Sequence, residues 1–425
     1  MPQEINIAEL DLAQWVRPGD TIAWSQGTGE PMTLTEALVQ QRHAIGQCRA
    51  FLGSAYSKTL RPEHADAMSF IGMGAVGNNR EFCKAGLLDV IPCHLSQLPW
   101  MLAQGLLKID VMLVQVSPEH NGSFSLGAIN SYATAFMAHA RVVIAEVNAQ
   151  TPWTHSGAVI DASKWNAVIR TDRPMIQMPA KSPEELEYAI ARHVVPLVPE
   201  GAVLQVGIGT LPNAVLAGLR GHRNLGIHSG VMGDNILTDL IETGVVDNST
   251  KPFDKGVTVT GSIFGTDRLY RYAHRNPALR VEPVEYTHNL GQLAQFKSFV
   301  TINSAIEVDL TGQVNGETAG LEYLGTVGGQ TDFTRGAFAS PKGRAMVILS
   351  ATIPKNGASR IVAQLGTGVT TTARADADVI ATEFGVAELR GRSIRQRVRA
   401  MIAIAHPDHR ESLEREAHAR IAGFA

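Results

Sequence analysis

The chain has 425 residues, of which 44% are hydrophobic and 6% aromatic, and its formal net charge is −3. That length exceeds one ordinary core and predicts two domains of roughly 200 residues each, while the composition fits a soluble α/β enzyme and excludes the disordered and membrane classes. The near-neutral charge gives no general drive toward nucleic acid or an anionic membrane, so a phosphorylated ligand needs a local cluster of donors.

The amino end, Met1-Pro2-Gln3-Glu4-Ile5, lacks the basic and then apolar profile of a secretory signal. The three cysteines, Cys48, Cys83 and Cys93, have no CxxC spacing and an odd number, which predicts a reducing cytoplasm rather than a disulfide framework. No apolar run approaches the roughly 18 residues that cross a bilayer.

Short apolar runs recur, each followed by a helical period: Thr21–Trp24, Met68–Ile71, Val111–Val116 and Val142–Val147, and again Ala202–Val206, Val257–Val259 and Met346–Leu349. Near-continuous apolar strands alternating with helices predict largely parallel sheets covered on both faces. Two α/β domains follow, over 1–180 and 181–425, with the linker near 175–181. Past it, Ser182, Pro183 and Glu185 read as a capping box with proline in the first turn. Leu186, Ile190 and Val194 share one face of that helix, and Pro196 and Pro199 end it. The Arg and Glu residues near Ile394–Val398 and Leu413–Glu416 read as a solvated helix face.

Two glycine loops follow strands and open helices: Gly27-Thr28-Gly29-Glu30-Pro31, ahead of Met32 and Leu34, and Gly207-Ile208-Gly209-Thr210-Leu211-Pro212. A glycine turn feeding a helix N-terminus offers unpaired N–H groups and a favourable dipole to an anion. It serves equally to pack helix on strand. Neither loop is a dinucleotide fingerprint: after Gly207 the third glycine is missing, Pro212 occupies the turn and no acidic residue stands at ribose distance, which argues against a dehydrogenase.

The most informative text is Ile302–Asn315, INSAIEVDLTGQVN, followed by Gly325–Phe333, GTVGGQTDF. It resembles the acetyl-CoA hydrolase/CoA-transferase family, which includes the 4-hydroxybutyrate and succinyl-CoA:acetate CoA-transferases. Gln115–Pro118, Glu146–Asn148, Thr382–Gly391 and His406–Asp408 extend the resemblance over nearly the whole chain. It implies two CoA-transferase-like α/β domains with the active site in the interdomain cleft, and coenzyme A entering as an acyl-CoA substrate. It further implies a small carboxylic acid as second substrate, no metal, no nucleic-acid or membrane partner, and a homodimer or a higher multiple. Coenzyme A is expected against the second domain near Gly207, Gly209, Gly328 and Gly329, and the acyl group near Gly27, Gly29 and Met32. Asn289, in Tyr286-Thr287-His288-Asn289, and the Gly329 N–H match the family's oxyanion donors.

In the family a glutamate following a His-Thr or similar pair attacks the thioester and carries acyl and CoA groups through an anhydride. The matching text here is Leu225-Gly226-Ile227-His228-Ser229-Gly230-Val231-Met232-Gly233-Asp234. The expected glutamate is Gly230. Three readings stay open: another carboxylate (Glu30, Glu63 or Asp234) takes its place, a water attacks directly, with His228 orienting it, or the protein binds acyl-CoA without turnover as a regulatory protein. Each residue also has a structural reading. Glu63 fits an exposed first-turn carboxylate, Asp234 a helix cap, His228 a satisfied strand-end group, and the pair Glu307 and Asp309 a hydrogen-bonding role in its strand.

Overall fold

A computed structural model describes residues 2–233, 235–366 and 368–424, apart from the side chain of Asn235. The chain divides into two compact units that are discontinuous in sequence. The first comprises Met1–Pro179, Gly230–Gly233 and Val257–Thr287, and the second Ala180–Ser229, Asp234–Gly256 and His288–Ala425.

The first unit is built on eight strands: β1 (Gln3–Glu4), β2 (Thr21–Trp24), β3 (Cys48–Leu52), β4 (Met68–Gly72), β5 (Leu88–Val90), β6 (Val111–Val116), β7 (Val142–Asn148) and β8 (Ala167–Thr171). They lie in the order β1-β8-β7-β6-β2-β3-β4-β5, and every neighbouring pair is parallel. The period of two explains why the run Val111–Val116 is apolar throughout. Val111 and Leu113 enter one core with Ile22 and Ile144, whereas Met112, Val114 and Val116 enter the other with Phe51 and Phe136.

The second unit carries β9 (Val203–Val206), β10 (Gly226–Ser229), β11 (Phe299–Ser304), β12 (Arg344–Ile348), β13 (Val379–Thr382) and β14 (Gly385–Glu388). They follow the order β10-β9-β11-β12-β13-β14. All pairs are parallel except the terminal hairpin β13–β14. The mixed α/β class with large, mostly parallel sheets is therefore as expected.

Two local expectations are corrected. The helix after the linker runs Glu185–Val194 and is capped by Glu184, with the Glu187 carboxylate accepting the Glu184 N–H at 2.9 Å. Ser182 is not the cap, because that bond fixes the helix entry two residues later. Near the carboxyl end, Arg397 is not on a solvated face. It is 9% exposed and donates to the carbonyls of Thr311 at 3.0 Å and Arg374 at 2.6 Å, so its charge is spent on loop carbonyls. Among the described residues no helix is long and apolar enough to cross a membrane.

Candidate functional site

In the first unit, β2 leads through Ser25 and Gln26 into a buried 3-10 turn, Gly27–Gly29, and then to Glu30 and the helix Met32–Ile45. The turn needs its glycines. Gly27 has φ +60° and the Phe264 ring stands where its Cβ would be, while a Cβ on Gly29 would meet Ile129 at 2.8 Å. Thr28 Oγ1 donates to the Ile263 carbonyl at 2.6 Å.

Glu30 is 3% exposed. Removal from water pushes its carboxyl above the ordinary value of 4.5, opposed by hydrogen bonds from the Ser57 and Thr35 hydroxyls, the latter at 2.9 Å. Such a carboxyl is biased toward holding a proton. Met32 begins the next helix, its Sδ 3.7 Å from Thr59 Oγ1.

Gly230 belongs to this same unit. Its carbonyl lies 3.0 Å from the position of a Cβ on Gly261, and the Gly261 carbonyl accepts the N–H groups of Asn130 and Ser131 at 3.1 and 3.0 Å. Met232–Gly233 then pairs in parallel with Ile263–Phe264. The segment 261–264 thus gathers both the Gly27 turn and Gly230. Glu63, by contrast, has a side chain 67% exposed and pairs with Arg61 at 3.5 Å, the placement of an exposed first-turn carboxylate. Asp234 lies outside the described residues.

In the second unit His228 sits on β10 with no exposure. Its ring packs on Phe296 at 5.1 Å and Phe253 at 6.3 Å, as a core histidine does. Neighbouring rings continue the contact from Phe296 to Phe299 (5.5 Å), Phe333 (6.3 Å) and His288 (4.4 Å). Beside His228, the fully buried Lys251 donates from Nζ to the Ile227 carbonyl at 3.1 Å, and Asn248 Oδ1 accepts the Ile227 N–H at 2.8 Å.

The Gly207 loop opens the helix Thr210–Gly218, with Gly209 at φ +122°. Thr210 Oγ1 donates to Glu187 at 3.0 Å, so a carboxylate already stands at the helix's first turn, where it weakens the pull on an anion. Asp309, 1% exposed, accepts from the N–H and hydroxyl of Thr311, both at 2.8 Å, and from the N–H and side chain of Gln313 at 3.0 and 2.6 Å. It organises a turn. Burial and then Asp309 raise the half-buried Glu307 carboxyl.

Gly328 (φ +56°) and Gly329 introduce the helix Gln330–Ala339, whose first N–H groups have no partner within the helix. A Cβ on Gly329 would collide with Nε2 of His288 and approach Phe333 at 3.2 Å. Asn289 follows His288 directly and is exposed, with its Oδ1 capping the turn Leu290–Leu293 by accepting the Gln292 N–H at 3.1 Å. Its amide nitrogen remains as a donor. Sequence reasoning passed over His288, although its adjacency to Asn289 in the same motif was a signal. Among the described residues no group of three or more His, Cys, Asp or Glu side chains gathers as metal ligands do.

Comparison with known proteins follows the same outline. Residues 5–195 match the acetyl-CoA hydrolase/transferase N-terminal domain and residues 265–417 the C-terminal domain of that family. The chain is 36% identical over 403 residues to 4-hydroxybutyrate coenzyme A transferase of Clostridium kluyveri, covering 93% of each. Its fold is similar to the crystal structure of RipA from Yersinia pestis, with TM-score 0.91, 32% identity and 98% and 97% of the two chains covered. It is also similar to 4-hydroxybutyrate CoA-transferase from Porphyromonas gingivalis, with TM-score 0.83, 31% identity and 99% and 98% covered. The chain therefore belongs to the acetyl-CoA hydrolase/transferase family.

Proposed function

We propose that this chain acts on acyl-CoA thioesters of small carboxylic acids and that its own reaction is hydrolysis. The observation that carries the reading is the start of the helix Gln330–Ala339, where Gly329 presents a helix N-terminus beside buried aromatic side chains and the His288–Asn289 pair. Backbone N–H groups there, with one side-chain donor, suit the oxygen of a thioester carbonyl as negative charge develops on it.

Hydrolysis is favoured over transfer by Gly230, which has no carboxylate to form an anhydride. A water oxygen then bonds to the carbonyl carbon and gives up one proton, the C–S bond breaks, and coenzyme A leaves as a thiolate that takes up a proton, so that the products are the free acid and the free thiol. Transfer is the second reading, favoured by relatives that are themselves CoA-transferases. It requires a different carboxylate, and burial of Glu30 disfavours the charged form that would attack the thioester. A cytoplasmic location and assembly as a homodimer go with either reading.

The test is incubation of pure protein with a panel of short acyl-CoAs, with and without acceptor acids, following free thiol and new thioesters. Free thiol without an acceptor supports hydrolysis. New thioesters, with a protein–CoA adduct sensitive to hydroxylamine, support transfer. No turnover of any thioester defeats both and leaves a binding protein.

A further inference from the structure

In the first unit, the loops that follow β6 and β7, 117–132 and 149–161, enclose with Val281 a cavity of about 180 Å³. Its walls are largely apolar, from Phe124, Leu126, Trp153, Ile160 and Val281, and Val159 carries apolar surface out of the mouth at 88% exposure. None of its described lining residues belongs to the Gly27 turn, and Gly230 is not among them. Most polar side chains on the wall have already spent their hydrogens. Ser125 Oγ donates to the Thr154 carbonyl at 2.9 Å, and Thr154 Oγ1 to the Gly127 carbonyl at 2.7 Å. Asn130, 1% exposed, gives its amide hydrogens to Ser156 Oγ and to the Val281 carbonyl, each at 3.2 Å. Ser156 Oγ donates in turn to the buried Glu282 at 3.0 Å, a carboxylate matched by Arg280. Ser123 Oγ bonds the His120 carbonyl at 3.1 Å, and Trp153 Nε1 the Ser123 carbonyl at 3.2 Å. His155 is the exception. It is half-buried, Trp153 meets its ring edge-on at 4.9 Å, and among the described residues its ring nitrogens take no hydrogen bond.

We infer that this cavity is a second ligand site, for a monocarboxylic acid with a compact apolar or aromatic body, its carboxylate held by the His155 ring N–H. Size sets the body: a cavity of about 150 Å³ lined by aliphatic and aromatic side chains takes up benzene, and this one is slightly larger. Apolar walls with a few placed polar groups are what small-molecule sites have in common. The head follows from the hydrogen-bond count. With the other side-chain donors engaged, a head that needs several donors is left unsatisfied. Imidazole keeps at least one N–H in either neutral tautomer and gives a carboxylate a charge-assisted bond where solvent still reaches it. The site stands apart from the thioester reading. Its wall residue Asn130 nevertheless lies between Ile129, which backs Gly29, and Ser131, which bonds Gly261, so an occupant touches the loop that also backs the Gly27 turn.

In the experiment, 4-fluorobenzoate and 4-fluorobenzyl alcohol, which share a body and differ in the head, are titrated by fluorine NMR into wild type, His155→Leu and Ala158→Trp. Crystals soaked with 4-bromobenzoate place the bromine by anomalous scattering. Wild type is expected to bind 4-fluorobenzoate saturably, with bromine between Trp153 and Ile160. His155→Leu weakens the acid about tenfold or more at this site and leaves the alcohol nearly unchanged. Ala158→Trp, which fills the cavity from a half-buried loop position, removes one equivalent of each. Should that variant fail to fold, the bromine position and His155→Leu decide.

No saturable binding to wild type overturns the inference, and a bromine peak then reports binding at crystal concentration only. An unchanged stoichiometry in folded Ala158→Trp, or bromine found only at the Gly27 turn, places the acid elsewhere and overturns it as well. An acid affinity unmoved in folded His155→Leu sinks the assignment of the head. Thioester turnover is not read in these arms, so failure of the proposed function and failure of this site are separate results.

Discussion

Gln205 and Asn303 face each other from β9 and β11 with both amides satisfied: Gln205 Nε2 donates to Asn303 Oδ1 at 3.1 Å, and Asn303 Nδ2 returns a bond to Gln205 Oε1 at 3.0 Å. Both side chains are buried, at 3% and 9% exposure. Asn303→Ala strands a buried amide and is expected to cost about 1–3 kcal/mol, read as a lower denaturant midpoint. The double variant Gln205→Leu/Asn303→Leu removes both polar groups, so its loss is expected to be smaller than the sum of the two single changes.

Two glycines of the second unit are expected to differ under alanine substitution. A Cβ on Gly207 meets nothing nearer than 3.7 Å, whereas one on Gly329 runs into the His288 ring. Gly329→Ala is expected to lower stability by about 1–3 kcal/mol through overpacking and to abolish thioester turnover. Gly207→Ala stays within about 0.5 kcal/mol of wild type. Thermal melts of the two variants side by side check this.

Acid exposes His288 through stability. Its pKa falls from 6.5 in the open chain to about 3 when folded, because burial penalises the charged ring. Between those values the unfolded chain binds more protons, so this residue lowers stability as pH falls through that window, with a limiting slope of about 1.4 kcal/mol per pH unit. Above pH 6.5 its contribution is flat. Chemical denaturation of wild type and His288→Asn across this window is expected to show the slope reduced in the variant.

Glu30 works in the opposite direction. Its folded pKa is raised above 4.5 by burial, so the folded state holds the proton longer than the unfolded chain. Stability from this group is present below pH 4.5 and is lost as pH rises through the folded pKa. Glu30→Gln, which can still accept from Thr35, is expected to gain stability relative to wild type as pH is raised from 4.5 toward neutrality. A constant difference between the two proteins would show that the carboxyl does not change its proton affinity on folding.

Gly230→Glu is expected to create transferase activity where wild type hydrolyses, with ping-pong kinetics and a protein–CoA thioester that hydroxylamine destroys. Mass spectrometry of the protein after incubation with acyl-CoA reads the adduct directly. Unchanged products from a folded variant would mean that the absent carboxylate is not what separates this chain from transfer.

Much of the architecture could be read because apolar runs are self-announcing. Thr21–Trp24 and Val111–Val116 are strands over the residues that the sequence reading picked out, since a strand covered on both faces has no polar position to blur its ends. What stayed hidden depends on contacts distant in sequence. Met232–Gly233 and Ile263–Phe264 are two-residue strands, too short to carry a period, yet their pairing helps bring Gly230 to the Gly27 turn. The site was half legible for the same reason. Gly329 stands out in a motif, but His288 acquires its place from the packing of Phe333, and the different fates of Glu30 and Glu63 follow from burial that no local pattern encodes.

The constraint at Gly261 comes from the carbonyl of Gly230, 3.0 Å from where a side chain would begin, and every amino acid has that carbonyl. Position 261 is thereby tied to the path of the main chain through 230 but indifferent, in this contact, to which residue is found there. This contact fixes the main chain at 230 whatever residue stands there, so it sets no barrier of its own to a lineage that exchanges one chemistry for another at that position.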